Sequence, residues 1–328
     1  MKLISPTQYV RDATDATNHA KKRVYILSMV LADHEATRPL IEALKNAAKR
    51  GVDVSVAADV FTYGEISGGF LPLRYYSPGS RDTKRMVKSL KKAGVHFTWL
   101  GRGRVTLFHG RTHSKWCVID DTVFTFGGVN LYEGGVHNID YMFKQNNPRL
   151  ANRLVAEQLR IKKAERSSTN FPSTIYEEDN ATSVLIDGGI VGQSVIYSRV
   201  IELAEQAKHI TFVSQYCPTG KLARILKTKS STVYYNRPFQ ADGLNRLAIK
   251  WGQFFTGLKT QYKNPRYLHA KCMIFTMEDG SKIALSGSHN FAYTGVLLGT
   301  REIALQTSDP AIISQLEHFI RKEVALKH

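Results

Sequence analysis

The feature that most constrains the fold of this chain is a motif that occurs twice. A His-x-Lys triplet begins at His113, and an apolar run and a Gly-Gly-Val-Asn sequence follow it and end at Asn130. A second triplet begins at His269, and another apolar run and a Gly-Ser-His-Asn sequence follow it and end at Asn290. Asn follows His by 17 positions in the first copy and by 21 in the second. The repetition predicts a chain built from two related halves.

Each copy of the motif has the pattern of a β-hairpin. The four extra residues of the second copy coincide with Glu-Asp-Gly-Ser at 278–281, in which Asp-Gly is a strong turn signal. His and Lys stand two positions apart, so on a strand both side chains point to one face. The second strand then returns the Asn to the neighbourhood of the His. The candidate catalytic residues are therefore His113, Lys115, Asn130, His269, Lys271 and Asn290.

The rest of the chain alternates short apolar runs with amphipathic helices, which indicates an α/β fold. Residues 24–31 and 209–216 are both patterns of buried strands, and an Ala-Lys pair precedes each of them. The predicted organisation consists of a first half over residues 1–164, a polar linker over 165–183, and a second half over 184–328.

The charge of the chain indicates a polyanionic partner. The 328 residues include 45 lysines and arginines against 28 aspartates and glutamates, a net charge of +17, of which residues 1–164 contribute +12. Such an excess favours either nucleic acid or an anionic membrane surface, and charge alone does not separate the two. No apolar run approaches the roughly 18–20 residues that cross a bilayer, and no secretory signal is evident. We therefore expect a cytoplasmic protein, with peripheral binding to the inner face of the membrane as an option.

The side chains of the repeated motif suit phosphodiester chemistry. A phosphodiester is an anion that resists nucleophiles until positive charge neutralises it, and lysines with asparagine amides can do so. A neutral imidazole can attack phosphorus, and an imidazolium can protonate the leaving oxygen. Each imidazole needs an acceptor on its other nitrogen to fix its tautomer. Asp140 and Glu302, which lie downstream of the two asparagines, are the candidates for this role.

At this point the residues resemble the phospholipase D superfamily, whose signature is His-x-Lys-x4-Asp followed by Gly-Gly-x-Asn or Gly-Ser-x-Asn. The first copy matches in full, with Asp120 as the Asp of the signature, whereas the second copy has Thr276 at that position. Gly128 and Ser288 occupy the small-residue positions before the asparagines, where they would border the substrate. The resemblance implies a structural role for Asp120, so the change to Thr276 leaves catalysis intact.

The resemblance further implies the architecture and the mechanism. The fold would consist of two pseudo-symmetric phospholipase D-like halves, each a mixed β-sheet flanked by helices, with one active site at their interface. No metal and no other cofactor is implied, and the reaction would pass through a covalent phospho-histidine. By the habit of the family His113 would be the nucleophile and His269 the general acid, an order that the sequence itself does not decide.

Within the superfamily the chain is most similar to bacterial cardiolipin synthases and related phosphatidyltransferases, on residues 39–59, 90–100 and 207–226. Those synthases often carry N-terminal membrane helices, which this sequence lacks, so a lipid function would require peripheral binding to anionic phospholipid. We predict a monomeric phospholipase D-type phosphatidyltransferase. A nuclease of the same superfamily is the alternative. A binding protein that lost catalysis is the third option, and the intact His and Lys of both copies argue against it.

Two further segments have open interpretations. Residues 64–82 are glycine-rich and aromatic, and would form either a lid or membrane-dipping loop or an ordinary surface loop. Arg102, Arg104 and Arg111 precede the first motif and would either contact a phosphate-rich substrate or simply flank a turn.

Overall fold

The protein is described by a computed structural model that covers residues 1–66, 77–101, 110–167 and 169–326. The central part of the predicted lid, residues 67–76, lies outside these described residues, as do Arg102 and Arg104. In the described ranges, no helix combines the length and the apolar composition that a membrane crossing requires.

The predicted α/β class is confirmed, and strands and helices alternate through both halves. The first half contains β1 Lys2–Ile4, α1 Pro6–His19, β2 Arg23–Ser28, α2 Arg38–Lys49, β3 Asp53–Asp59, α3 Phe61–Ile66, α4 Pro78–Lys92, β4 His96–Leu100, β5 Trp116–Ile119, β6 Thr122–Thr125, α5 Glu133–His137, β7 Met142–Asn146 and α6 Pro148–Arg166. The second half contains β8 Thr174–Asp179, β9 Thr182–Gly188, α7 Val195–Gln206, β10 His209–Val213, α8 Gly220–Thr228, β11 Ser230–Tyr234, a 3₁₀ turn Pro238–Gln240, α9 Gly243–Thr256, β12 Cys272–Thr276, β13 Lys282–Gly287, α10 Tyr293–Leu297, β14 Arg301–Thr307, α11 Pro310–Phe319 and a π-helical turn Ile320–Val324.

The strand order of the two sheets confirms two related halves. The first sheet has the order β4-β3-β2-β5-β6-β7-β1, and the second has the order β11-β10-β12-β13-β14-β9-β8. Strands β2 and β3 pair in parallel, as do β10 and β11, and the hairpins β5-β6 and β12-β13 are antiparallel. Six strands of each sheet therefore correspond in order. The first sheet adds β4 at one edge, and the second sheet adds β8 at the other.

The segment 165–183, predicted as a polar linker, is structured in its later part. β8 forms there and pairs with β9 as an edge strand, so the second sheet begins before residue 184. The side chains of β8 alternate between partly buried and exposed, which is why the segment has no continuous apolar run. Tyr176 is partly buried, and the guanidinium of Arg153 on α6 stacks 4.0 Å from its ring centroid.

The two halves share an apolar cluster at their junction, and each half has a further cluster of its own. The shared cluster includes Trp116 and Tyr141 of the first half together with Cys272 and Ile303 of the second. The hydroxyl groups of Tyr141 and Ser286 lie 2.6 Å apart across the junction, so each of these buried polar groups has a partner in the opposite half. The functional site lies beside this contact.

Candidate active site

The two His-x-Lys triplets lie at the junction of the halves and bond across it. The backbone N–H groups of His113 and Ser114 donate to the carbonyl of Arg301, at 2.8 and 3.0 Å. In the other half, the N–H groups of His269 and Ala270 donate to the carbonyl of Ile139, at 2.9 and 3.0 Å. Both triplets were predicted to lie on the first strand of a hairpin, but both lie just before it. The reason is that their N–H groups bond to the opposite half rather than to a neighbouring strand.

Each predicted carboxylate contacts the histidine of the opposite half. Glu302 follows Arg301 in the second half, and its Oε1 lies 3.0 Å from Nδ1 of His113. Asp140 follows Ile139 in the first half, and its Oδ2 lies 2.7 Å from Nδ1 of His269. Sequence reasoning identified both acids but not this crosswise pairing. A carboxylate on Nδ1 fixes the tautomer of an imidazole and leaves Nε2 as its reactive atom.

The two carboxylates are held by different groups. Asp140 accepts hydrogen bonds from the N–H groups of Gly128 at 3.2 Å and Tyr141 at 2.8 Å. A Cβ on Gly128 would come within 2.6 Å of Asp140 Oδ2, so only glycine fits there without displacing the carboxylate. In the second half the hydroxyl of Ser288 donates to Glu302 instead. The two small residues therefore position the carboxylates. That they also border the substrate stays a prediction.

Both motif lysines are buried within the site. Nζ of Lys115 donates to the carbonyl of His113 at 2.8 Å, and Nζ of Lys271 donates to the carbonyl of His269. Burial lowers the pKa of Lys115, and it lowers the pKa of Lys271 to about 7. The nearby charges of Asp140 and Glu302 act on both lysines in the opposite direction. An anion that enters the site would therefore raise the pKa of both amines and favour their charged form.

The ionisable groups of the site differ in their charge near neutral pH. Burial, followed by the charge of Lys271, lowers the pKa of His269 to about 4, although Asp140 opposes the shift. Burial raises the pKa of Glu302, but the neighbouring His113 and other hydrogen-bonding groups outweigh it and bring the pKa to about 2. Near neutral pH the resting site therefore contains a neutral His269 and an ionised Glu302.

The two asparagines have unused hydrogen-bonding capacity. Asn130 is buried and Asn290 is partly buried, and the Oδ1 atom of each is inaccessible to solvent and has no hydrogen-bond partner among the described residues. Oδ1 is an acceptor, so an anionic ligand would be bound by the Nδ2 groups of these amides, which are donors.

Asp120 lies apart from these residues, at the far end of β5. Its backbone has a φ of 50°, and its carboxylate accepts hydrogen bonds from the N–H groups of residues 21–23 at 2.8 to 3.0 Å. Burial opposes ionisation, but these bonds lower the pKa of Asp120. The corresponding Thr276 ends β12, and its carbonyl accepts a hydrogen bond from the N–H of Lys208 at 2.8 Å. Both positions join a hairpin to the start of a neighbouring strand.

Sequence reasoning missed two residues that hold the triplets in place. Asp59 ends β3 and accepts a hydrogen bond from the N–H of Thr112 at 3.1 Å, next to His113. Asn236 follows β11 and accepts a hydrogen bond from the N–H of Leu268 at 2.8 Å, next to His269. Both polar side chains are fully buried and follow apolar strands, which is the signal that could have identified them.

Two other polar side chains near the site are buried. Arg111, for which the sequence left a phosphate contact or a place beside a turn open, is 4% exposed and donates from Nη1 to Asp59 at 2.9 Å, so it supports the first triplet from within the fold. His289 is 1% exposed, and its Nδ1 accepts a hydrogen bond from the N–H of Phe291 at 2.8 Å. Burial lowers the pKa of His289 to about 4, so it is neutral beside Glu302.

Two comparisons by sequence gave different results. Residues 14–161 match the family described as the cardiolipin synthase, phospholipase D-like domain. No curated protein matches the chain by sequence.

Comparison with solved structures extends the likeness to both halves. The phosphatidylserine synthase of Haemophilus influenzae Rd KW20 superposes with a TM-score of 0.73 at 15% identity, covering 98% of this chain and 86% of that one. The polyphosphate kinase of Porphyromonas gingivalis has a TM-score of 0.63 at 13% identity, covering 100% of this chain and 52% of that one. Nuc, a phospholipase D family member from Salmonella typhimurium, covers 47% of this chain and 86% of its own, at 18% identity. Its TM-score of 0.34 is too low to support a conclusion.

These similarities show a shared fold along both halves of the chain. Residues 14–161 resemble a cardiolipin synthase, phospholipase D-like domain, and the chain as a whole has the fold of the phosphatidylserine synthase structure, with two related sheets.

Proposed function

We propose that the chain transfers a phosphatidyl group from a phospholipid to an alcohol or to water through a covalent phospho-histidine. The observation that carries the proposal is the pair of imidazoles, each held at Nδ1 by a carboxylate of the opposite half. Such pairs leave two Nε2 atoms to react with one phosphodiester. The family match at residues 14–161 supports the lipid as the substrate class.

The reaction would take place in two displacements. In the first, Nε2 of one neutral imidazole attacks phosphorus, and a P–N bond forms as the bond to the leaving oxygen breaks. The other imidazole, protonated, donates its Nε2 proton to that oxygen. In the second displacement, the same imidazole removes a proton from the incoming alcohol or water. The oxygen of that molecule then attacks phosphorus and releases the first histidine.

The four remaining motif residues would stabilise the charge on phosphorus. We assign Lys115 and Lys271 to the non-bridging oxygens, because buried amines gain most from an anionic partner. The amide groups of Asn130 and Asn290 would add hydrogen bonds from the side chains. These groups supply the positive charge that phosphodiester cleavage needs, so we expect activity in the presence of EDTA.

A nuclease is the second candidate, and the observation that favours it is the net charge of +17. A basic surface attracts the phosphates of nucleic acid as well as an anionic bilayer. The description of the matched family names a lipid synthase and no enzyme that acts on nucleic acid. We therefore place the nuclease second and propose a monomer that acts peripherally at the cytoplasmic face of a membrane.

A paired assay in EDTA tests the two candidates. Fluorescent phosphatidylglycerol in vesicles and single-stranded DNA would be offered in parallel to the wild-type chain and to His113→Ala and His269→Ala. We expect phosphatidyl transfer or hydrolysis by the wild type and neither by the variants. Cleavage of DNA without lipid turnover would reject the lipid substrate, and a strict requirement for Mg²⁺ or Zn²⁺ would reject the mechanism.

A further inference from the structure

The second half carries an unusual apolar surface on α9. Among the described residues, all four exposed phenylalanine and tryptophan side chains lie between residues 239 and 255. Phe254 is the most exposed of them, at 83%. Five apolar side chains on the helix are exposed, and we call them the aromatic face of α9: Leu244, Leu247, Trp251, Phe254 and Phe255.

The aromatic face forms a continuous stripe. At 3.6 residues per turn its five members fall within an arc of about 100°. The buried residues Ile249, Gly252 and Thr256 lie on another side of the helix. Gly252 lies so close to the chain that a Cβ there would come within 2.8 Å of Cys217 Cβ. α9 is therefore fixed to the domain through a narrow face of mostly small residues, and its large apolar side chains point outward.

The corresponding helix of the first half, α4, packs inward. α4 lies between β3 and the first triplet, as α9 lies between β11 and the second triplet. Met86, Val87 and Leu90 of α4 are buried in the core of the first half. Among the described residues of the two connections, α9 carries an exposed apolar face of this kind and α4 does not.

The segment that carries the aromatic face is basic. Residues 237–266 contain six lysines and arginines and one acidic residue, Asp242. Lys250, Lys259 and Lys263 are exposed, and no ion pair of theirs is found within the described part of the chain. A second copy of this surface would bring like charges together, whereas an anionic bilayer would attract them. An amphipathic helix with Trp, Phe and Leu on one side and basic residues beside them is typical of an interfacial membrane helix.

The support of α9 is continuous with the active site. The Tyr216 hydroxyl donates to Asn245 of α9 at 2.5 Å, and Cys217 packs against Gly252. Two residues before Tyr216, the Ser214 hydroxyl donates to the carbonyl of the motif residue Asn290 at 2.8 Å. The short segment 214–217 therefore contacts both α9 and the second motif.

We propose that the aromatic face of α9 inserts into the interfacial region of an anionic phospholipid bilayer and docks the active site there. That this docking brings the active site to its substrate rests on the proposed function. Binding of α9 to the bilayer does not depend on catalysis, so the docking and the proposed function can fail separately.

Vesicle flotation with the full chain tests the docking. The vesicles would contain phosphatidylglycerol with phosphatidylcholine, and pure phosphatidylcholine vesicles would serve as the neutral reference. The variant Trp251→Ala/Phe254→Ala/Phe255→Ala should lower the partition coefficient by about tenfold or more, because it removes most of the insertable apolar area. The matched control is Leu159→Ala/Ile175→Ala, which removes two similarly exposed apolar side chains elsewhere and should leave binding unchanged.

Tryptophan fluorescence gives a second readout that does not depend on a multiple substitution. The chain has three tryptophans, of which Trp116 is fully buried, Trp99 is partly buried and Trp251 is 57% exposed. Vesicles should shift the emission of the wild type to the blue. Trp251→Phe should retain binding but lose that shift.

Three results would overturn the docking proposal. They are equal binding by the triple variant, unchanged Trp251 emission in vesicle-bound protein, and a wild-type dimer that the triple variant does not form. His269→Ala should bind vesicles like the wild type. Binding through α9 without phosphatidyl transfer would reject the proposed function and retain the docking. Phosphatidyl transfer in detergent micelles by a protein that does not bind vesicles would reject the docking and retain the proposed function.

Discussion

His113 and His269 are related by the duplication, yet their surroundings differ in three ways. The contact of His269 with Asp140 is shorter than that of His113 with Glu302, 2.7 Å against 3.0 Å. The side chain of His269 is 13% exposed and that of His113 is 22% exposed. A backbone N–H from Gly128 holds the first carboxylate, whereas the hydroxyl of Ser288 holds the second.

These differences allow one duplicated motif to supply two catalytic roles. Nucleophilic attack needs a neutral imidazole and leaving-group protonation needs a charged one, so identical sites would serve neither step well. Burial keeps His269 neutral, while Glu302, ionised well below neutral pH, lies against His113. Crosswise pairing means that each half completes the site of the other. The following predictions test that asymmetry.

Loss of either imidazole should have the largest effect. His113→Ala and His269→Ala should each lower kcat/KM for phosphatidyl transfer by about 1,000-fold or more, because each removes a reacting group. The matched control is His137→Ala, which replaces an exposed histidine and should retain activity. Circular dichroism would verify that the variants fold.

An activated leaving group should then separate the two histidines. A phosphodiester with a nitrophenyl leaving group needs no general acid in the first displacement, so it should restore a burst of nitrophenol to one alanine variant only. The second displacement of that variant still lacks its general base. The resemblance to the superfamily predicts rescue of His269→Ala, whereas the low pKa of His269 favours rescue of His113→Ala. Rescue of both variants, or of neither, would contradict a division of roles.

Removal of the carboxylates should have the next largest effect. Asp140→Asn and Glu302→Gln should each lower kcat by about 100-fold, because the imidazole loses the group that fixes its tautomer. Asp140 raises the pKa of His269, so Asp140→Asn should lower that pKa further below about 4. NMR of the imidazole nitrogens would measure this. A response of His269 to Glu302→Gln but not to Asp140→Asn would contradict crosswise pairing.

The small residues should respond unequally to substitution. Gly128→Ala should lower kcat by about 10-fold to 100-fold, because the new Cβ would displace Asp140 and meet the carbonyl of His269 at 2.9 Å. Ser288→Gly removes only one hydrogen bond to Glu302 and should lower kcat less than about 10-fold. Steady-state kinetics of the two variants would check the ranking. The opposite order would contradict the steric role assigned to Gly128.

Asp120 should affect stability and leave the chemistry unchanged. Asp120→Ala should lower the free energy of unfolding by about 2 kcal/mol at pH 7, because it removes acceptors for three backbone N–H groups. The folded pKa is lowered, so the stabilisation is complete above the ordinary carboxyl pKa of about 3.9 and is lost as the pH falls below it. Denaturant unfolding at pH 7 and pH 3 should show that the difference in the free energy of unfolding between the wild type and Asp120→Ala is smaller at pH 3. Asp121→Ala is the control. A large loss of kcat would contradict this role.

The sequence predicted the elements that local pattern specifies. The His-x-Lys spacing and the Asp-Gly turn indicated two hairpins, and the hairpin β12-β13 turns at residues 277–281. It did not predict the crosswise pairing, because contacts between the halves depend on how the two sheets align. Asp59 and Asn236 were missed for a different reason: each acts within its own half, through the backbone of a residue far along the chain. The linker was misjudged because an edge strand buries only alternate side chains.

In the proposed reaction, one phosphodiester reacts at a histidine in a site that both halves build. Rapid mixing with phosphatidylglycerol, a denaturing quench at alkaline pH that preserves phospho-histidine, and peptide mass spectrometry would test this step. We expect a phosphatidyl adduct on either His113 or His269 but not both, which disappears when that histidine is replaced by alanine. An adduct on any other residue, or turnover without an adduct on either histidine, would contradict the proposed reaction.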